Sequence, residues 1–233
     1  MVDISGSTHI GKRNNNEDNF AIGENFAVVA DGMGGHSKGE VASKMAVECI
    51  SEKLKPLTTI SNKNILDAVD FANIEIYDKA QEDDFMQDMG TTVVMCTWHD
   101  DKVIVANVGD SRCYLVSDNN IKQITVDHSY VQSLIDIGKI SATEAEFHPD
   151  KNVILRAVGC ESSVKTDLFT FSVSSGDVVV LCSDGLSGVL SEGDIKNITD
   201  SFDDAESMVQ ALVDKAYESG GSDNITAVVV IFQ

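Results

Sequence analysis

Gly90–Ser111 reads GTTVVMCTWHDDKVIVANVGDS. Two β-type runs, GTTVVMCTW and KVIVANV, flank Asp100-Asp101, a spacing that predicts a hairpin and hence two antiparallel neighbours. A second hairpin is predicted where RCYLVS and IKQIT flank the turn at Ser117-Asp118-Asn119-Asn120. Further β-type runs are NFAVVAD, DLFTFSV, DVVVLCSD and NITAVVVIFQ. Other stretches carry the helical period. From Ala205, the residues Met208, Val209, Leu212, Val213, Ala216 and Tyr217 share one face. Val41–Leu54 and Ile65–Ala80 follow the same rule less strictly, and Ser37 with Glu40 forms an S-x-x-E capping box before the first of them. The long helices fall into two groups, with hairpin-linked strands between and after them. That order disfavours an alternating βαβ parallel sheet. It favours an α+β fold of two mainly antiparallel sheets, packed face to face and flanked by helices. With 2 prolines and no low-complexity tract, nothing reads as a linker, so the expectation is one domain over 1–233.

Composition narrows the partners. The 38 acids and 17 bases leave a net charge of -21 across 233 residues. Such a surface repels nucleic acid and anionic lipid, and any anionic substrate needs local positive charge. The 5 cysteines, Cys49, Cys96, Cys113, Cys160 and Cys182, sit mostly inside apolar runs. They read as buried thiols in a reducing compartment rather than a disulfide framework. None has arginine six residues on, so the loop of cysteine-based phosphatases is missing. The first residues lack the apolar core of a signal peptide, and no apolar run approaches the ~18 residues of a membrane span. The expected location is the cytoplasm.

Two stretches imitate nucleotide loops. GSTHIGKR at 6–13 nearly matches G-x-x-x-x-G-K-[ST], but Arg13 stands where a hydroxyl should hold magnesium. Gly32 and Gly34 begin a G-x-G-x-x-G that Ser37 breaks, and Asp31 would set a negative charge beside the pyrophosphate. A different pattern recurs instead. Asp31, Asp110 and Asp184 each end an apolar run, and Asp223 stands just before one. Oxygen-only company of this kind suits hard cations such as Mg²⁺ and Mn²⁺, with the exposed Gly32 carbonyl as a further donor. Ordinary turn capping accounts for any single one of these aspartates. Spacing alone leaves a shared metal cluster and separate turns both open. Arg13, the only arginine in the first hundred residues, has the planar fork to grip a phosphate, or else it is a solvated surface residue.

R-x-x-x-E-D, ADGMGGHSKGEVAS, GTTVV, NVGDSR, DHSYVQ, LRAVG, LCSDGL and GGSDNIT occur in this order between Ser7 and Phe232. Together they resemble the metal-dependent protein phosphatases, the type 2C serine/threonine phosphatases, in their compact bacterial form. The resemblance implies a four-layer αββα sandwich. It implies that Asp31 bridges two Mn²⁺ or Mg²⁺ ions, that the Gly32 carbonyl reaches one, and that Asp184 and Asp223 ligate the other. Glu17 and Asp18 match acids that help hold the centre, largely through water. Asp110, with Asp184, matches a third, weaker site, and Arg13 matches the arginine that grips the substrate phosphate. The implied reaction is direct in-line attack on phosphorus by a bridging hydroxide, with no phosphoenzyme.

This sequence departs from many relatives at Met33, where they carry a histidine proposed as general acid. His36 does not match that position and reads as a loop residue. Aryl phosphates, with good leaving groups, are therefore expected to turn over despite the gap. Gly188 stands where some relatives have a further acid. The segment at 129–159, with an S-x-x-E cap at Ser141 to Glu144, matches the family's variable flap beside the active site, against the plainer reading of a static surface excursion. The resemblance thus points to a monomeric phosphatase of phosphoserine and phosphothreonine proteins, paired with a serine/threonine kinase. The rivals are a catalytically silent phosphoprotein-binding module of the same fold, a hydrolase of small phosphate esters, and a Ca²⁺-binding protein. The absence of a D-x-[DN]-x-[DN]-G loop weakens the last.

Overall fold

The computed structural model describes residues 1–34, 38–82, 86 and 88–233. His36 and Ser37, and with Ser37 the expected capping box, lie outside these. One sheet runs in the order β1 (Val2–His9), β11 (Ile225–Phe232), β10 (Val178–Cys182), β7 (Arg112–Ser117) and β8 (Asn120–Gln123). The other runs β2 (Asp18–Ile22), β3 (Phe26–Met33), β5 (Val93–His99), β6 (Lys102–Val108) and β9 (Asp167–Ser172), with β4 (Gly90–Thr91) on the end of β3. Every pairing is antiparallel.

The apolar runs are continuous because both faces of each sheet are covered. In β3, Phe26, Val28 and Ala30 pack under α1 (Lys38–Leu54) and α2 (Asn62–Glu82), while Ala27 and Val29 face the other sheet. In β11, Val228, Val230 and Phe232 lie between the sheets. Its alternate residues Ile225, Ala227, Val229 and Ile231 meet α7 (Ala205–Glu218) with α5 (Asp184–Ser187) and α6 (Glu192–Thr199). Three apolar layers therefore separate four structural layers, α-β-β-α. Continuous apolar runs are commonest in parallel sheets, which are buried on both faces. Here the short hairpins, not the runs, carry the topology.

Both predicted hairpins form. His99 pairs with Lys102 across Asp100-Asp101, and Ser117 pairs with Asn120. Asp118 and Asn119 both take positive φ, +48° and +60°, as a two-residue turn of the I′ kind demands. The strands β1 and β2 are absent from the runs read off the sequence. Both are part-polar and only half-buried, and β1 gains its place through eight register pairs with β11 more than two hundred residues away. The imitation phosphate loop at 6–13 begins inside β1 and leads to no helix.

Between β8 and β9 the chain makes an excursion holding α3 (Tyr130–Asp136) and α4 (Ala142–Glu146). The capping box at Ser141 forms in both directions, and Ser129 caps α3. The two ends of the excursion are tied by an antiparallel bridge between Ser129 and Ile154.

Candidate metal centre

Antiparallel register sends strand ends and strand starts to the same edge of the sandwich. His9 closes β1 opposite Ile225, Asp18 opens β2 opposite Asp31, Val108 closes β6 opposite Val93, and Cys182 closes β10 opposite both Ala227 and Arg112. Every aspartate singled out in the sequence flanks one of these positions. The sheets are stitched together there, where Ser183 Oγ donates to Asp18 Oδ2 at 2.7 Å and accepts from the Thr226 backbone N–H at 3.0 Å.

The acids sense one another. Asp31 is held well above the usual carboxylate range by burial first, then by the charges of Asp18, Asp184 and Asp110. Asp184 is raised by burial and by Asp223, and its carboxyl hydrogen-bonds that of Asp31. Burial, with Asp184 adding repulsion, pushes Asp18 and Asp110 up to about 7. Burial also raises Glu17. Arg13, 59% exposed, donates from Nη2 to Asp223 Oδ2 at 2.6 Å, and this bond raises the guanidinium's own proton affinity.

Among the described residues, no three histidine, cysteine or acid side chains stand ready to hold an ion as they are. Asp31 and Asp184 instead interact with each other, and Asp223 pairs with the Arg13 guanidinium. Three observations show a donor set that suits oxygen-preferring cations. Asp18 Oδ1 and Asp110 Oδ1 are buried with no hydrogen-bond partner, a costly state for carboxylate oxygens. A Cβ placed on Gly39 would lie 2.5 Å from Glu17 Oε2 and 2.7 Å from the Gly32 carbonyl oxygen, so these two oxygens flank one point. The whole set is carboxylate and carbonyl, with no thiolate or imidazole, which is the chemistry of Mg²⁺ and Mn²⁺.

The backbone comes unusually close here. A Cβ on Gly32 would meet the Gly39 carbonyl at 2.0 Å, and one on Gly11, at φ +64°, would meet the Asp223 carbonyl at 1.9 Å. Only glycine fits either place. Met33 ends β3 beside this site, and Gly188 is the exposed cap of α5, its N–H on the Asp184 carbonyl.

The sequence pattern of protein phosphatase 2C matches residues 5–227. The chain belongs to the protein phosphatase 2C family. It is 38% identical over 228 residues to a protein of Listeria welshimeri named serine/threonine phosphatase stp, covering 94% of this chain and 90% of that one. It is 35% identical to the protein phosphatase PhpP of Streptococcus pneumoniae, covering 98% and 97%. Among solved structures, the Mycobacterium tuberculosis serine/threonine phosphatase PstP/Ppp superposes with a TM-score of 0.94 at 31% identity, over 100% of this chain and 99% of that one. The PstP catalytic domain in complex with two manganese ions does so at 0.88 and 30% identity, over 99% of each. Four layers and two antiparallel sheets are thus the phosphatase 2C fold, as the motif blocks implied.

Several residues that build this candidate site were not singled out in the sequence. Asn224 accepts from the Glu17 N–H at 2.7 Å and donates to the Ile10 and Asn15 carbonyls, both at 2.9 Å, pinning the loop that carries Arg13. Thr92 Oγ1 accepts from the Asp31 N–H at 3.0 Å and shares a 2.7 Å hydrogen bond with Ser111 Oγ. Arg112 grips Asp127 with a bidentate fork, Nε to Oδ1 at 3.0 Å and Nη2 to Oδ2 at 2.7 Å. Asn224, Thr92, Ser111 and Arg112 fall inside the GGSDNIT, GTTVV and NVGDSR blocks, the one signal that could have found them.

Proposed function

We propose that this chain is a metal-dependent phosphatase of phosphoserine and phosphothreonine in proteins, with Asp31, the Gly32 carbonyl, Asp184 and Asp223 holding two Mn²⁺ or Mg²⁺ ions. Glu17 and Asp18 support that centre, and Asp110 with Asp184 provides a third, weaker site. The carrying observation is the gathering of five aspartates from the ends of five strands at one edge, with the Asp18 and Asp110 oxygens buried and unpartnered. The names of the relatives and the two manganese ions of the PstP structure support the same reading.

When bound, paired divalent ions supply positive charge to a phosphoryl group and acidify a water for in-line attack. The chain's own residues set the terms around them. Asp31, Asp184 and Asp18 would hold the ions, whose positive charge would make a very acidic protein hospitable to an anion. Arg13 presents a guanidinium fork that matches a phosphate's oxygens, and Asp223, on one Nη2, orients it. Asn224 fixes the loop on which Arg13 sits. Met33 has no proton to give a departing alkoxide, so aryl phosphates, whose leaving groups need none, turn over readily.

The source of substrates is a serine/threonine kinase acting on the same proteins, and the excursion at 129–159 is the flap that meets them. The phosphatase works as a monomer in a reducing cytoplasm. Its five cysteines are all free thiols, and among the described residues no helix is long and apolar enough to cross a membrane.

One assay tests the reading. Hydrolysis of an aryl phosphate and of a phosphothreonine peptide is followed with Mn²⁺ and then with chelator. Activity on both with metal and none with chelator is expected. Tight peptide binding without turnover would instead indicate a silent binding module.

A further inference from the structure

His128 lies at the mouth of the 129–159 excursion, its side chain 8% exposed. Its backbone N–H donates to the Gly109 carbonyl at 3.0 Å, and its own carbonyl accepts from the Leu155 N–H at 2.7 Å. On one side it therefore touches the turn that carries Asp110. On the other it touches the returning end of the excursion. The imidazole repeats this bridging. The Gly109 N–H donates to Nδ1 at 3.0 Å. A donor aimed at Nδ1 requires a lone pair there, so the neutral ring carries its proton on Nε2. That Nε2 stands 3.1 Å from Asp167 Oδ2 at the start of β9. Arg156 Nη1 lies 2.8 Å from the same nitrogen, but its two hydrogens serve Asp167 Oδ1 and the Lys165 carbonyl, each at 3.1 Å, which leaves the Nε2 proton to Asp167 Oδ2. One carboxylate thus serves both the imidazole and the arginine. Burial, with the Arg156 charge, outweighs the pull of Asp167 and holds His128 below its usual range.

The turn so gripped bears directly on the metal centre. Gly109 sits at φ +105°, and a Cβ there would fall 2.6 Å from the Thr92 methyl. Thr92 in turn takes the Asp31 N–H. A packed series, His128 to Gly109 to Thr92 to Asp31, runs from the excursion to an acid of the candidate site.

We propose that His128 is a positioning residue for the phosphatase reaction, an acceptor at Nδ1 and a donor at Nε2 that locks the Gly109–Asp110 turn to both ends of the excursion. Nothing in this role requires contact with substrate. It rests on the functional reading above, since the turn matters through Asp110 and the excursion through the protein substrate. The imidazole is suited to it because its two nitrogens, on opposite edges of one rigid ring, offer complementary polarity.

Two variants separate the ring's edges. His128→Ala removes both bonds. His128→Asn keeps an acceptor oxygen near the Nδ1 position but cannot reach Asp167. For His128→Ala, kcat/KM on a phosphothreonine peptide is expected to fall about tenfold, mainly through KM, while aryl phosphate hydrolysis at saturating Mn²⁺ falls less than about threefold. The Mn²⁺ concentration for half-maximal rate is expected to rise in His128→Ala and to return toward the wild-type value in His128→Asn, with the peptide KM still raised. Equal losses on both substrates, or an asparagine variant no better than alanine, would overturn the proposal. Long-range ¹H–¹⁵N correlation of the wild-type ring near pH 7 gives a readout independent of activity. The Nε2–H tautomer is expected, and an Nδ1–H or doubly protonated ring would sink the lock. A wild-type chain inactive on both substrates removes the reaction role while leaving that tautomer standing.

Discussion

Acids at the edge of the sandwich and acids at the helix starts are the same residue types in opposite electrostatic states. Asp204 caps α7 by accepting from the Ser207 N–H at 2.8 Å, and Asp194 and Glu144 close capping boxes at Ser191 and Ser141. Backbone and hydroxyl donors hold all three below the usual carboxylate range. Asp18, Asp31, Asp110 and Asp184 are all held above it, by burial and by one another. A capping acid answers to unpaired N–H groups within its own turn of helix. The edge acids come from distant segments and find too few donors. In the chain alone they oppose folding, and cations reverse the sign of their contribution.

The most severe way to break the contrast is Asp184→Ala. Loss of the acid that bonds Asp31 should lower Mn²⁺-dependent aryl phosphate hydrolysis by about three orders of magnitude or more. A variant at wild-type rate would show that the edge acids are not the ion holders. Stability against pH comes next. Asp18 and Asp110 are raised to about 7, so the folded chain keeps protons that the unfolded chain has released. That contribution is fully present below the ordinary carboxylate value and is lost as pH rises through 7, by an amount on the order of a few kcal/mol. Denaturant unfolding in chelator should therefore show falling stability from pH 4.5 to 8, an upper bound set about by these two groups. Saturating Mn²⁺ should flatten or invert the trend, because the ions need the acids deprotonated. The capping acids carry the opposite sign, their contribution present above the ordinary value and lost as pH falls below it.

Arg13→Ala sharpens the comparison at a smaller scale. The guanidinium is exposed, and a surface ion pair of this kind adds little to stability. Its loss should raise KM for the phosphopeptide about tenfold with the melting temperature nearly unchanged. Smallest is Asp204→Ala, which should lower the melting temperature by about 2 °C and leave the Mn²⁺-dependent rate alone. An effect of that variant on catalysis would mean that the two acid populations are coupled.

What the sequence disclosed follows the same division. Asp31, Asp110, Asp184 and Asp223 stood out because the end of an apolar run marks the end of a strand, and short hairpins send those ends to one edge. The period of α7 and the box at Ser141 are local patterns, legible within a few residues. Strands β1 and β2 were missed because part-polar, half-buried strands owe their form to distant partners rather than to their own composition. Asn224 and His128 passed unnoticed as individual residues for another reason. Both act on backbone N–H and carbonyl groups, which have no residue identity to read. The candidate metal ligands were also legible chiefly as a set, since one aspartate before a glycine is an ordinary turn.

The place of β11 has a consequence for biosynthesis. It lies between β1 and β10, so these two strands, far apart in the chain, meet only across it. Long-range pairing of this sort is slow, and the half-made chain leaves unsatisfied strand edges in the meantime. As a ribosome delivers Asp223 and then Ile225–Phe232, a nascent polypeptide whose other sheet is already made gains at once the strand that joins β1 to β10 and the last acid of the candidate ion pocket. Fragments arrested before that moment are candidates for chaperones and proteases.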